Sequence, residues 1–187
     1  MKVIEKIIRI VTIPPLITGV TILILYEVGS MTMLEFIIAE SCLLVFPALA
    51  YPFREVFKIG KDRRSGQRST AMVFSCISYL YGFTWALLNN AGMVTKVLFT
   101  SYIISVVALL IANKLLKFKA SGHACSTTAP IVLLTWQVSP YYIIPCILII
   151  TAVYYSSIKL KQHTFIQLLV GSLFSVIASV ISILIFS

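Results

Sequence analysis

Charge is scarce in this chain, and negative charge is scarcer still. Of 187 residues only 11% are Asp, Glu, Lys or Arg, and six acids stand against 15 bases. Soluble globular domains carry about 25% charged residues. A water-facing fold is therefore excluded as a class, and 59% hydrophobic residues with a mean hydropathy of +1.01 place the chain among membrane proteins. Cysteine is sparse and scattered. Cys42, Cys76, Cys125 and Cys146 stand singly in apolar runs without CxxC spacing or a neighbouring histidine, which argues against zinc and against a disulfide framework. Histidine is rarer, with only His123 and His163. Internal repeats and low-complexity linkers are also lacking, so one domain spanning 1–187 is expected.

The bases that are present give a formal net charge of +9. On a soluble protein that excess would suggest nucleic acid. Here the bases gather between apolar segments, which points to anionic lipid headgroups and no nucleic-acid partner.

A spanning helix needs about 20 mostly apolar residues, fewer where the protein buries an end. That criterion predicts an all-α, polytopic helical bundle of about seven spans (six or seven). The candidates are 10–26, 31–51, 70–88, 93–115, a short fifth opening within 119–124 and reaching about 137, then 141–155 and 163–186. The first follows Lys2, Lys6 and Arg9 as a signal peptide would, but it lacks a small-residue cleavage site and contains Pro14-Pro15, so it reads as a retained span whose helix start is bent or delayed. Pro130 predicts a kink in the fifth. The stretch 52–69 reads as one long basic loop. Glu35 and Glu40 are costly in lipid and should face the bundle interior, with Lys96 as a candidate ion partner for Glu35.

Each span moves the chain across the bilayer. With seven, the N-terminus, the basic loop, the Lys119–His123 stretch and the 156–163 joint fall on one face, which then holds every Lys and Arg except Lys96. Three polar segments can converge there. In the first, Lys61 and Arg68 supply a point cation and a planar fork, both suited to phosphate, although a basic loop obeying the positive-inside rule reads the same way. In the second, Ser121 and Gly122 open an apolar helix whose unpaired N–H groups and dipole favour an anion, with His123 beside them. A helix cap beside an interfacial histidine is the plainer reading. In the third, His163 lies four residues before Gln167, so on a helix the amide oxygen could orient the ring. Alone, that pair also reads as a helix cap.

Taken in order, the three segments resemble the type 2 phosphatidic acid phosphatase family, which includes the vanadium haloperoxidases. Its first motif, Lys, six residues, Arg, Pro, is matched by Lys61 and Arg68, with Ser69 for the proline. Its second, Pro-Ser-Gly-His, is matched by Ser121, Gly122 and His123, with Ala120 for the proline. Its third, Ser-Arg, five residues, His, three residues, Asp, is matched by Ser156 and His163, with Ser157 for the arginine and Gln167 for the aspartate. The similarity covers about 60–171.

The resemblance implies that His163 takes the phosphoryl group and His123 protonates the leaving oxygen. It implies that Lys61, Arg68, Ser121 and the Gly122 amide hold the phosphate, with Gln167, Ser156, Ser157 and Lys159 in support. No metal and no cofactor is implied. The expected function is an integral-membrane lipid phosphatase acting on a phosphate monoester or diphosphate such as phosphatidate, phosphatidylglycerophosphate or a polyprenyl diphosphate. A phosphotransferase on the same fold would look identical, and a non-catalytic binder or flippase of anionic lipids is the alternative from another class. The cation excess puts the site face in the cytoplasm, whereas the resemblance implies the outer face.

Overall fold

A computed structural model describes Ile8, 11–60 and 62–187, without the side chains of Arg63, Arg64, Ser65 and Arg68. Among the described residues seven helices and no strand are present: α1 Pro14–Glu27, α2 Met33–Phe57, α3 Arg63–Leu88, α4 Met93–Leu115, α5 Gly122–Gln137, α6 Ile143–Lys159 and α7 Phe165–Phe186. Five of them, α2, α3, α4, α7 and α6 counted with the 3-10 turn Pro140–Tyr142 that leads into it, are long and apolar enough to cross a membrane. With 14 and 16 residues, α1 and α5 extend only about 21 and 24 Å, short of a hydrocarbon core of about 30 Å. The chain is thus an all-α protein with five helices of membrane-spanning length.

Local chemistry explains the boundaries. Pro14 opens α1, because a proline at the first helical position surrenders an N–H that would be unpaired anyway. The expected loop at 52–69 is mostly helix, since α2 continues through Pro52 to Phe57 and α3 starts at Arg63. A left-handed Lys58 ends α2, and the buried Arg54 closes the tight turn by donating from Nε to the Ile59 carbonyl at 3.2 Å. Both α2 and α4 contain a π-helical segment, Ser41–Val45 and Ile111–Leu115, the former just ahead of Pro47.

Packing centres on α5, which touches α1, α4, α6 and α7. This enclosure allows a short helix with Thr127, Thr128 and Pro130 buried to sit inside a membrane-type bundle. Thr128 Oγ1 donates to the Ala124 carbonyl at 2.8 Å and lies 2.9 Å from Ser172 Oγ of α7, which the Tyr154 hydroxyl of α6 meets at 2.8 Å. Small residues let α7 approach its neighbours: Gly171, Ser175, Ala178, Ser179 and Ser182 are all buried.

The main apolar cluster, around Ile22, Leu25, Val97, Leu98, Phe99 and Leu133, fills the half of the bundle near the turns at 28–32, 89–92 and 138–142. Glu35 organises that end. It closes a capping box with Thr32 and also accepts from the Gly92 N–H at the start of α4. The expected Glu35–Lys96 ion pair does not form, because the carboxylate is occupied by helix ends. At the opposite end a smaller cluster of Leu109, Ala112, Ala120 and Cys125 forms, and there the cavity opens.

Candidate active site

Six elements meet around a cavity of about 450 Å³: the start of α1, the second half of α2, the start of α3, the end of α4, the start of α5 and the joint before α7. Gly122, His123, Gln162 and His163 line it together with Gln67 and Asn113, and Tyr79, Tyr102, Val106, Leu109 and Ala129 line its deeper part. The two histidines that the sequence separates by 40 positions therefore share one chamber.

The second segment is built as the sequence suggests, with one change. Ser121 is the N-cap of α5 and its hydroxyl accepts from the Ala124 N–H at 3.3 Å. It is fully buried and lies outside the cavity lining. Its hydroxyl therefore serves α5 as a cap, and its own proton is not directed at the lining residues. Gly122 and His123 occupy the first turn, with the positive end of the α5 dipole facing the cavity. His123 Nε2 lies 3.3 Å from Thr12 Oγ1. Because the Thr12 hydroxyl donates its only proton to the Ile8 carbonyl at 2.8 Å, Nε2 is the protonated partner in that contact.

In the third segment His163 precedes the helix instead of riding on it. Thr164 is the N-cap of α7, and Gln167 closes a capping box with it, so its amide folds back towards the chain start. Gln167 Oε1 accepts from the Thr164 N–H at 3.1 Å and lies 3.2 Å from His163 Nδ1. A backbone N–H can only donate, so the atom facing it is the amide oxygen. His163 Nδ1 must then carry the proton, which in the neutral ring puts the lone pair on Nε2.

The second and third segments are tied directly. The Ser121 N–H donates to the Gln167 carbonyl at 3.0 Å, one helix start hooked onto another. Contact this close depends on Gly171, where a Cβ would overlap the Ser121 carbonyl oxygen. Gly122, by contrast, has room: a Cβ there would meet only Leu109 Cδ1 at 3.8 Å.

The remaining expected residues stand apart. Ser156 and Ser157 are fully buried turns of α6, not part of a polar joint, because α6 runs on to Lys159; Ser156 Oγ donates to the Val153 carbonyl at 3.1 Å. Lys159 is exposed, its Nζ 5.8 Å from the Tyr155 ring centroid. None of the three lines the cavity. Lys61 lies outside the described residues, as does the side chain of Arg68, although Gln67, Ala71 and Met72 of the same α3 stretch border the cavity.

Thr12, Gln67, Asn113 and Gln162 were not foreseen. Asn113 had a legible signal, a lone amide among Leu109, Leu110, Ile111 and Ala112 in a predicted span. It lies in the π-helical turn of α4, and its Oδ1 is buried without a hydrogen-bond partner among the described residues. A scan against protein-family models finds no match for this chain, and comparisons with curated proteins and with solved structures find none either.

Proposed function

We propose that the chain is a multi-pass integral-membrane lipid phosphatase of the cell membrane, working through a phosphohistidine. The observation that carries this reading is that His123 and His163 line one cavity. Anion binding alone needs charge; it does not need a second imidazole.

The proposed sequence begins with a lipid phosphate whose headgroup enters beside the α5 N-terminus, where backbone N–H groups and the dipole favour its oxygens. His163 Nε2 attacks phosphorus, a P–N bond forms, and the P–O bond to the lipid breaks. His123, in its protonated form, gives a proton to the leaving oxygen. Water then attacks the phosphohistidine with His123 as base, and inorganic phosphate leaves. Lys61 and Arg68 are the proposed clamps on the phosphate oxygens. Gln167 keeps Nδ1 protonated and Nε2 nucleophilic, but it adds no negative charge to steady the phosphorylated ring.

That neutral partner is the one observation favouring a non-catalytic carrier of anionic lipids. Phosphate release from a lipid panel by purified protein separates the two. The phosphatase reading expects His163→Ala to abolish release, His123→Ala to lower it by about 10²- to 10⁴-fold, and vanadate to inhibit. Release that is undiminished in His163→Ala protein, or no release from any lipid phosphate or diphosphate, sinks the mechanism.

A further inference from the structure

Among the described acids, Glu27, Glu35, Glu55 and Asp62 stand at helix ends or in turns, whereas Glu40 lies inside α2. It follows Met33 by seven residues, about 10 Å along the axis, or a third of the way across a hydrocarbon core of about 30 Å. The π-helical segment Ser41–Val45 begins directly after it. Its Oε2 is buried without a hydrogen-bond partner among the described residues. A glycine makes room for the carboxyl: a Cβ on Gly19 of α1 would come within 3.2 and 3.6 Å of the two oxygens and 3.0 Å of Leu44 Cδ2. Both oxygens therefore pack on the α1 backbone. The preceding residue, Thr18, ties α1 to α4, because its Oγ1 lies 2.7 Å from the Tyr102 hydroxyl and spends its own proton on the Pro14 carbonyl, so Tyr102 donates.

The surroundings of Glu40 bring no base to it. On α1 the ionisable side chains are Tyr26 and Glu27, and α3 carries Cys76, Tyr79 and Tyr81 beyond its first two turns. The α3 arginines, Arg63, Arg64 and Arg68, fall within those two turns, at the far end of the bundle. On α2 itself Cys42 and Glu35 are neighbours in sequence, and Arg54 is fourteen residues away, about 20 Å along the axis. Lys96 of α4 makes no ion pair with Glu40. An isolated carboxylate in apolar surroundings takes up a proton instead of persisting as a charge, and acids within membrane spans mark ion and proton sites. A metal cation would need about six oxygen ligands; Gly19 and Leu44, which face the carboxyl, have no side-chain oxygen to give.

We propose that Glu40 is an intramembrane proton-binding site, and that its neutral carboxyl is the form that seals α2 onto Gly19 of α1. The inference stands independently of the phosphatase reading. Its probe is dicyclohexylcarbodiimide, a lipid-soluble reagent that needs a protonated carboxyl. The acid proton passes to a carbodiimide nitrogen, the carboxyl oxygen bonds to the central carbon, and the acyl group then migrates to nitrogen as a stable N-acylurea. Nothing is oxidised and no group leaves.

In proteoliposomes at pH 8, peptide mass spectrometry should find labelling at Glu40 at least tenfold above that at any other acid, and none at this position in Glu40→Gln protein. The water-soluble reagent ethyl-dimethylaminopropyl carbodiimide, applied at pH 5, should mark the exposed Glu27 and Asp62 and spare Glu40. Glutamine is the neutral isostere, so at pH 6 Glu40→Gln should unfold within about 2 °C of wild type. The folded chain binds this proton more tightly than the unfolded chain, so stability falls as pH rises. Between pH 6 and pH 9 the wild-type midpoint should drop by at least about 4 °C relative to that of Glu40→Gln. A Glu40 that reacts with the water-soluble reagent is hydrated, one that reacts with neither reagent is ionised or sealed off, and an identical pH dependence in the two proteins shows that no proton is tied to the fold here; each result overturns the proposal.

Discussion

Gly171→Ala tests whether contact between α5 and α7 sets the spacing of the two histidines. A Cβ at this position would overlap the Ser121 carbonyl oxygen and sit 3.2 and 3.3 Å from the Ser121 carbon and nitrogen. These are backbone atoms and cannot rotate aside, so the two helix starts must part by on the order of 1 Å to restore normal contact. Overpacking of this kind costs about 1–3 kcal/mol. Loss of the 3.0 Å bond from the Ser121 N–H to the Gln167 carbonyl adds about 0.5–1.5 kcal/mol. The same displacement moves His123 relative to His163, and a 1 Å error in a catalytic geometry costs about 10²-fold in rate. The assay is thermal unfolding of detergent-solubilised protein followed by tryptophan fluorescence, paired with phosphate release. Gly122→Ala is the control for stability, because its Cβ would meet only Leu109 Cδ1 at 3.8 Å, and its stability should stay within about 0.5 kcal/mol of wild type. The reasoning is refuted if Gly171→Ala unfolds like wild type, or if Gly122→Ala is equally damaging.

Gln167→Glu keeps the capping box and the contact to His163 Nδ1 but makes the hydrogen bond charge-assisted, which is roughly twice as strong. Phosphohistidine formation should accelerate about five- to tenfold, and the acid limb of the pH profile should move upward because a carboxylate favours the protonated ring; a rate no better than that of Gln167→Ala contradicts the assigned role. Glu35→Ala strips the acceptor from the Thr32 and Gly92 N–H groups and should cost about 1–3 kcal/mol in unfolding, with Glu35→Gln losing less. Tyr102→Phe removes one buried bond while Thr18 keeps its bond to Pro14, so the expected loss is about 1 kcal/mol. Adding Thr18→Val to Tyr102→Phe should cost less than the two single losses combined, and full additivity would show that the pair is not coupled.

The bundle was legible because hydropathy acts over whole segments. Seven apolar runs became seven helices, although only five of them reach membrane-spanning length, and the break ahead of Pro14 followed from the chemistry of a single residue. The errors lay where neighbouring helices overrule local preference. The polar run after Pro52 looked like a loop by composition, yet Arg54 bridging to Ile59 makes a turn tight enough for both flanking helices to continue. Ser156 and Ser157 read as a joint by polarity, whereas burial inside α6 satisfies small hydroxyls without unwinding the helix.

The amino-acid sequence by itself determined the apolar, all-helical character and the two imidazoles with their flanking polar residues, because these depend on composition and on spacing along one chain. Only the tertiary structure decided that Ser121 caps a helix, that His163 stands ahead of α7 with its Nδ1 held by Gln167, and that Gly171 is the glycine on which the close approach depends. It also decided that the two histidines share one chamber. Those properties arise from contacts between segments distant in sequence, and no periodicity or motif spacing encodes the distance at which two helices come to rest.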